Sequence, residues 1–320
     1  MAVYTEVSNE DLETFVSSYG IGSVLSFKGI AEGVENTNYL MHTEEGQFIL
    51  TLYEKRVSPE DLPYFLNLMT FLANAGIPCP VPLHAKNGAL LGELCGRPAA
   101  IVTFLNGMWP KKIKTIHCAE LGTALARLHT AGAGFTMSRP NGLSINAWRP
   151  LFNESAAQAD KIQPGLEKFL WNELDYLEKN WPGNLPTGIC HADLFPDNVF
   201  FLGQSLSGLI DFYFACNDFL IYDLAICLNA WCFERDSSFN ITKARSMLAA
   251  YRKERDISNL EILTLPIVAR GAALRFLLTR LFDWLNHPAG ALVKPKDPRE
   301  YLSILQFHQR VSMSNEYGFD

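Results

Sequence analysis

The sequence has no basic excess, no paired cysteines and no internal repeat, and each absence closes off a class of function. Its 320 residues carry a formal net charge of −7, whereas a broad nucleic-acid or anionic-membrane surface needs a surplus of Lys and Arg. The densest basic cluster, Lys111, Lys112 and Lys114, reads as solvated surface. Seven cysteines, at 79, 95, 118, 190, 216, 227 and 232, include no CxxC pair, so a zinc site is not expected. The N-terminal MAVYTEVSNEDLETF carries acids where a secretion signal needs a basic then apolar run, and with scattered thiols this points to a reducing, cytoplasmic setting. No apolar window is expected to approach the roughly 20 residues that cross a bilayer. What remains is a globular composition, 48% hydrophobic, sufficient for one large core or two modest ones.

The first hundred residues alternate helix and strand signals. Ser8 and Asp11 resemble a capping box ahead of Leu12, Phe15, Val16 and Tyr19 at helical spacing. Strands are expected at VLSFKGI (24–30), NYLMHT (38–43), QFILTLY (47–53) and RPAAIVTF (97–104), with a helix opened by Ser58-Pro59 and carrying Leu62, Phe65, Leu66, Met69 and Leu72 inward. Composition changes after Leu105-Asn106-Gly107. From there the long segments read as helices, over 113–131, 164–180, 220–233, 241–255, 258–284 and 298–313, with Pro266 expected to kink or delay the fifth. Only 187–214 interrupts them, as turn, strand, turn, strand. The expectation is an α+β fold of two lobes: a small sheet-rich N-terminal lobe over 1–104, a connector over 105–110 and a larger, mainly helical C-terminal lobe over 111–320.

Within the interruption, HADLFPDNVFF (191–201) is followed by Leu209-Ile210-Asp211-Phe212. Phosphoryl transfer from ATP needs one carboxylate to orient an attacking hydroxyl and two oxygen-bearing side chains to hold Mg²⁺ against the phosphates. A turn and a neighbouring strand end supply that set. HADLFPDN resembles the HxDxxxxN catalytic loop of protein-kinase-like enzymes, and Ile210-Asp211-Phe212 resembles their metal-binding Asp-Phe motif. Ala192 stands where a protein kinase has the arginine of His-Arg-Asp, and Tyr213 where it has the glycine of Asp-Phe-Gly. Those departures, with ALARLHTAG (124–132) and IYDLAICL (221–228), are similar to the aminoglycoside phosphotransferase/choline kinase branch. GVENTNY (33–39), FILTLYEKR (48–56), GIPCPVPL (76–83) and RGAALRFLLTRLFDW (270–284) resemble the bacterial homoserine kinases of that branch over essentially the whole chain.

The resemblance implies ATP and Mg²⁺ as cofactors and L-homoserine as the small-molecule partner, without nucleic acid or membrane. It implies Asp193 as the catalytic aspartate, with His191 in support, and Asn198 and Asp211 as Mg²⁺ ligands. Gly29 and Gly33 belong to the candidate phosphate loop, which is not GxGxxG, and Phe104 and Leu105 would offer backbone groups to adenine. Thr51 stands where the family has its phosphate-binding cation, leaving Lys28, Lys55 or Arg56 to supply the charge. A substrate bearing a carboxylate calls for an arginine, with Arg275 preferred to Arg149, Arg270 and Arg280. Asp197 is a turn residue or a second acid near the substrate, and His129 and Asp223 are expected to pack and to anchor a loop. Choline, ethanolamine, methylthioribose or an aminoglycoside as substrate, and nucleotide binding without catalysis, remain alternatives.

Overall fold

The computed structural model describes residues 5–30, 36–54, 57–287 and 295–319. The chain forms two compact units: Met1–Gly107 with Ser207–Tyr213, and Met108–Leu206 with Phe214–Asp320.

In the first unit, helix α1 (Asn9–Val16) starts where Ser8 accepts a hydrogen bond from the Asp11 amide, a cap that satisfies one of the helix's open donors. Strands β1 (Val24–Gly29), β2 (Thr37–Thr43) and β3 (Gly46–Leu52) follow, then α2 (Leu62–Asn74), β4 (Gly92–Leu94) and β5 (Arg97–Thr103). They form one five-stranded sheet in the order β1-β2-β3-β5-β4, with every pairing antiparallel. Strand β2 alternates buried and half-buried residues along its length, as period-2 side chains on a one-sided core must. Its inward Tyr39 and Met41 join Leu12, Val16, Leu50, Leu52 and Ile101 in one apolar cluster.

The second unit is mainly helical. It contains α3 (Thr115–Gly132), α4 (Ile145–Asn153), α5 (Ala156–Ala159) and α6 (Leu166–Asn180), then β6 (Thr187–Cys190), β7 (Val199–Leu202) and β8 (Ser205–Leu209), whose last three residues cluster with the first unit. Strand β9 (Cys216–Phe219) pairs antiparallel with β6. The unit closes with α7 (Leu220–Trp231), α8 (Ile241–Glu254), α9 (Asn259–Leu285) and α10 (Pro298–His308). Gly122 lets α3 and α8 approach backbone to backbone: a Cβ there would lie 2.3 Å from the Met247 carbonyl oxygen.

Two expectations need correction at α9. The helix is long and apolar enough, by length and composition, to span a membrane, contrary to the expected absence of such a window. It is instead a core helix, with Leu265, Val268, Ala272, Leu274, Leu277 and Leu281 all buried. It also runs through Pro266 without a break. Proline cannot donate to the carbonyl four residues back, and here the Ser314 hydroxyl donates to that Ile262 carbonyl instead.

Candidate functional site

The second unit holds the HADLFPDN loop. Strand β6 delivers the chain to His191, and the residues after it are fixed by one buried carboxylate. Asp223, in the first turn of α7, accepts hydrogen bonds from the His191 amide at 2.6 Å and the Ala192 amide at 2.9 Å. Ala192 sits at φ +63°, in the left-handed region that costs an L-residue roughly 1–2 kcal/mol, so the anchor holds a bend the chain would not take unaided. The His129 Nε2 contacts the same carboxylate at 3.2 Å, while its Nδ1 meets the Tyr251 hydroxyl at 2.6 Å. Burial pushes the Asp223 carboxyl up, but His129 and then His191, through its charge and its amide, outweigh it and hold the group below its ordinary value. Both residues thus act as expected, in packing and anchoring. Cys190 lies close to this pair; burial first, and then the Asp223 charge, push its thiol up and keep it neutral.

Beyond the bend, the Leu194 carbonyl accepts from the buried Trp231 indole at 2.7 Å. A 3₁₀ turn, Pro196–Asn198, then leads into β7. It turns Asn198 back so that its Nδ2 donates to the Asp193 carbonyl at 2.8 Å and to Asp193 Oδ2 at 3.2 Å. Asp193, Asn198 and the buried His191 are therefore brought together. The donor half of the Asn198 amide faces Asp193; its other half is an amide oxygen, a hard donor of the kind Mg²⁺ prefers. Asp197 points elsewhere: it is exposed and pairs with Lys296 at 3.4 Å.

Among the candidate arginines, three are committed to acids. Arg149 binds Glu178 and Asp175, Arg270 binds the buried Glu173, and Arg280 binds Glu300 at 2.6 Å. Arg275 is buried on α9 with its guanidinium 3.9 Å from the Phe276 ring centre and 5.3 Å from that of Phe214. No carboxylate pairs with it among the described residues.

The first unit holds the other candidates. Asp211 follows β8 at φ +67°, a backbone state Asp tolerates better than most residues. Next to it, Tyr213 is clamped by Tyr53, with hydroxyls 3.2 Å apart, and by Phe65 edge-on at 5.7 Å. Burial pushes the Tyr213 hydroxyl up to about 12, a rise the Tyr53 hydrogen bond opposes and the Asp211 charge reinforces. Lys28 is exposed and Gly29 half-buried at the end of β1, opposite Leu40 and Tyr39 of β2. Phe104 and Leu105 follow β5 and are half-buried. Thr51 is buried and donates to Asn38 Oδ1 at 2.7 Å across the β2–β3 pair, so it fills a structural post. Gly33, Lys55 and Arg56 lie outside the described residues.

Residues 26–257 match the phosphotransferase enzyme family. Homoserine kinases are similar over the whole chain. The protein of that name from Nitrobacter winogradskyi is 63% identical over 318 residues, covering 99% of this chain and 98% of its own length. That from Rhodospirillum rubrum is 61% identical, covering 99% of each. Among solved structures, an amicoumacin kinase in complex with AMP-PNP and Ca²⁺ shares the fold at TM-score 0.70 and 15% identity, over 94% of this chain and 92% of that one. A choline kinase from Cryptosporidium parvum does so at TM-score 0.64 and 13% identity, over 90% and 88%.

Proposed function

The chain belongs to the phosphotransferase enzyme family, with a protein-kinase-like fold, and we propose from that membership that it phosphorylates the side-chain hydroxyl of L-homoserine with ATP. The observation that carries this reading is the identity of 60–63% with homoserine kinases over essentially the full length of both chains. The product, O-phospho-L-homoserine, serves threonine biosynthesis, and the enzyme acts in the cytoplasm.

Asp193 orients the attacking hydroxyl. An Asp carboxyl has a pKa of about 3.9 and an alcohol lies near water's ~15.7, so a gap of about twelve units forbids removing the proton before attack. The proton passes to Asp193 late, once bond formation to phosphorus has made it acidic. The Asn198 hydrogen bond at 3.2 Å to Asp193 Oδ2 helps orient the carboxylate. Asn198 and Asp211 would hold Mg²⁺, which neutralises charge on the phosphates when bound. Lys28 and Gly29 are assigned to the phosphates, Phe104 and Leu105 to adenine, and His191 to support of the loop. Asp197, paired with Lys296, is assigned to the turn.

A coupled ADP-release assay with Mg-ATP across homoserine, choline, ethanolamine, methylthioribose and an aminoglycoside tests the substrate. Homoserine should give the highest kcat/KM by orders of magnitude. Asp193→Ala should lower kcat about 10³-fold while ATP still raises the melting temperature. Near-normal turnover by that variant removes Asp193 from its assigned role.

A further inference from the structure

Three polar groups of the second unit are buried without a hydrogen-bonding or ionic partner among the described residues. Arg275 is 4% exposed, and no ion pair or hydrogen bond reaches its guanidinium among the described residues. The hydroxyls of Tyr222 and Tyr301, in residues 2% and 1% exposed, are likewise without a hydrogen-bond partner. Buried polar groups are normally satisfied, and a buried cation without an anion is costlier still. The neighbouring arginines show the ordinary arrangement, since Arg270 and Arg280 on the same helix each face a glutamate.

The three groups converge. Phe276 carries the Arg275 guanidinium on its face and packs against the Tyr301 ring with centroids 5.3 Å apart. Arg280 covers Tyr301 from 4.3 Å. Tyr222 packs edge-on against Trp181 with centroids 6.3 Å apart, and Trp181 lies against Gly271, about one turn before Arg275 on α9. Burial pushes both hydroxyls up, opposed by the Arg275 charge at Tyr222 and by Arg280, then Arg275, at Tyr301. All three are donors in their ordinary states, and the guanidinium fork suits two oxygens in one plane. The subsite also touches the chemistry: Phe195, two residues beyond Asp193, packs on Phe276 at 4.8 Å and on Tyr301 at 6.3 Å.

We propose that Arg275, Tyr222 and Tyr301 form the subsite that receives the α-carboxylate of the amino-acid substrate and thereby select it over simple amino alcohols. The inference rests on homoserine being the substrate. Arg275 accounts for the charge and the two hydroxyls for the orientation, so that the carboxylate is fixed at one end while the hydroxyl at the other is held by the Asp193 loop.

The test is a comparison of homoserine with 3-aminopropan-1-ol, the same molecule without its carboxylate, in the parent enzyme and in Arg275→Met, Tyr222→Phe and Tyr301→Phe. The parent should prefer homoserine by about 10³-fold in kcat/KM, as a site built around buried donors rejects a ligand lacking their acceptor. In Arg275→Met that ratio should fall to about 10 or below, through KM for homoserine, with KM for ATP unchanged. Each Tyr→Phe change should lower the ratio about 10-fold. These conservative variants carry the test if the Met variant does not fold. Equal losses on both substrates, or an unchanged ratio, overturn the subsite. Poor turnover of homoserine by the parent, with good turnover of another alcohol, overturns the substrate reading instead, so the two failures are distinct.

Discussion

Replacing Asp223 by Asn changes few atoms but should disable the loop that carries Asp193. One carboxylate oxygen takes the His191 amide and the His129 ring, and the other takes the Ala192 amide. An asparagine can keep one of those oxygens. Its NH₂ must then face a backbone N–H, losing one hydrogen bond and stranding a buried donor, which costs about 1–3 kcal/mol. The surviving bonds change from charge-assisted to neutral, for about another 1 kcal/mol each. The sum, about 3–5 kcal/mol, matches what breaking a buried ionic contact costs in general. Ala192, held at φ +63°, has an exit into ordinary backbone space once the anchor weakens, and a 1 Å displacement of Asp193 costs about 10² in rate. Urea unfolding followed by tryptophan fluorescence should show the stability loss, and the ADP-release assay a fall of about 10² in kcat with KM for ATP little changed. Because the folded Asp223 carboxyl lies below its ordinary value, its contribution is complete above about pH 4 and disappears only as pH falls towards the folded value, so pH 7 is the right place to measure. A variant that unfolds within about 1 kcal/mol of the parent and keeps its turnover would refute the reasoning.

Two further outcomes follow from packing. His308 is buried between Asn229 and Tyr317, and burial, with a smaller effect of Arg270, lowers its ring to about 3. A folded pKa below the unfolded ~6.5 means stability is full above pH 6.5 and is lost as pH falls towards 3. The loss at pH 5 should be about 2 kcal/mol from this ring, and His308→Gln should remove that part of the difference between urea midpoints at pH 7.5 and pH 5. Gly122→Ala should destabilise by about 2 kcal/mol in the same unfolding assay, despite the better helix propensity of Ala, because the new methyl meets the Met247 carbonyl rather than a side chain that can turn aside. Unchanged stability would mean that α3 and α8 separate at little cost.

The HADLFPDN loop stood out because the chemistry proposed for it calls for particular residue types at fixed spacing. Asp193 and Asn198 stand five apart, and the turn Pro196–Asn198 is what brings them into contact. The long helices were legible from apolar periodicity, to within a few residues at most ends, though α10 stops at His308 rather than 313. Elements without such periodicity were missed. Strand β4 has three residues, β9 follows a 3₁₀ turn, and α4 contains Pro150. Arg275 could be ranked among its neighbours only as a preference, since the glutamates that occupy Arg270 and Arg280 lie 97 and 20 residues away in sequence. Tyr222 and Tyr301 gave no signal at all. A tyrosine on a helix's inward face reads as core, and only the structure shows whether its hydroxyl has found a partner.

The strip Ser207–Tyr213 has a consequence for how this chain can be cut or recombined. The chain passes between its two compact units three times, after Gly107, Leu206 and Tyr213, so neither unit is a single continuous segment. Residues 1–107 expressed alone would lack Leu209, whose amide bonds the Pro78 carbonyl, and Tyr213, which closes over Tyr53 and Phe65. The fragment is therefore missing part of its own interior. Exchanging that unit between relatives would require two grafts rather than one, and the second graft carries Asp211 with it. Recombination at a single crossover would instead pair Asp211 with a sheet it did not evolve beside.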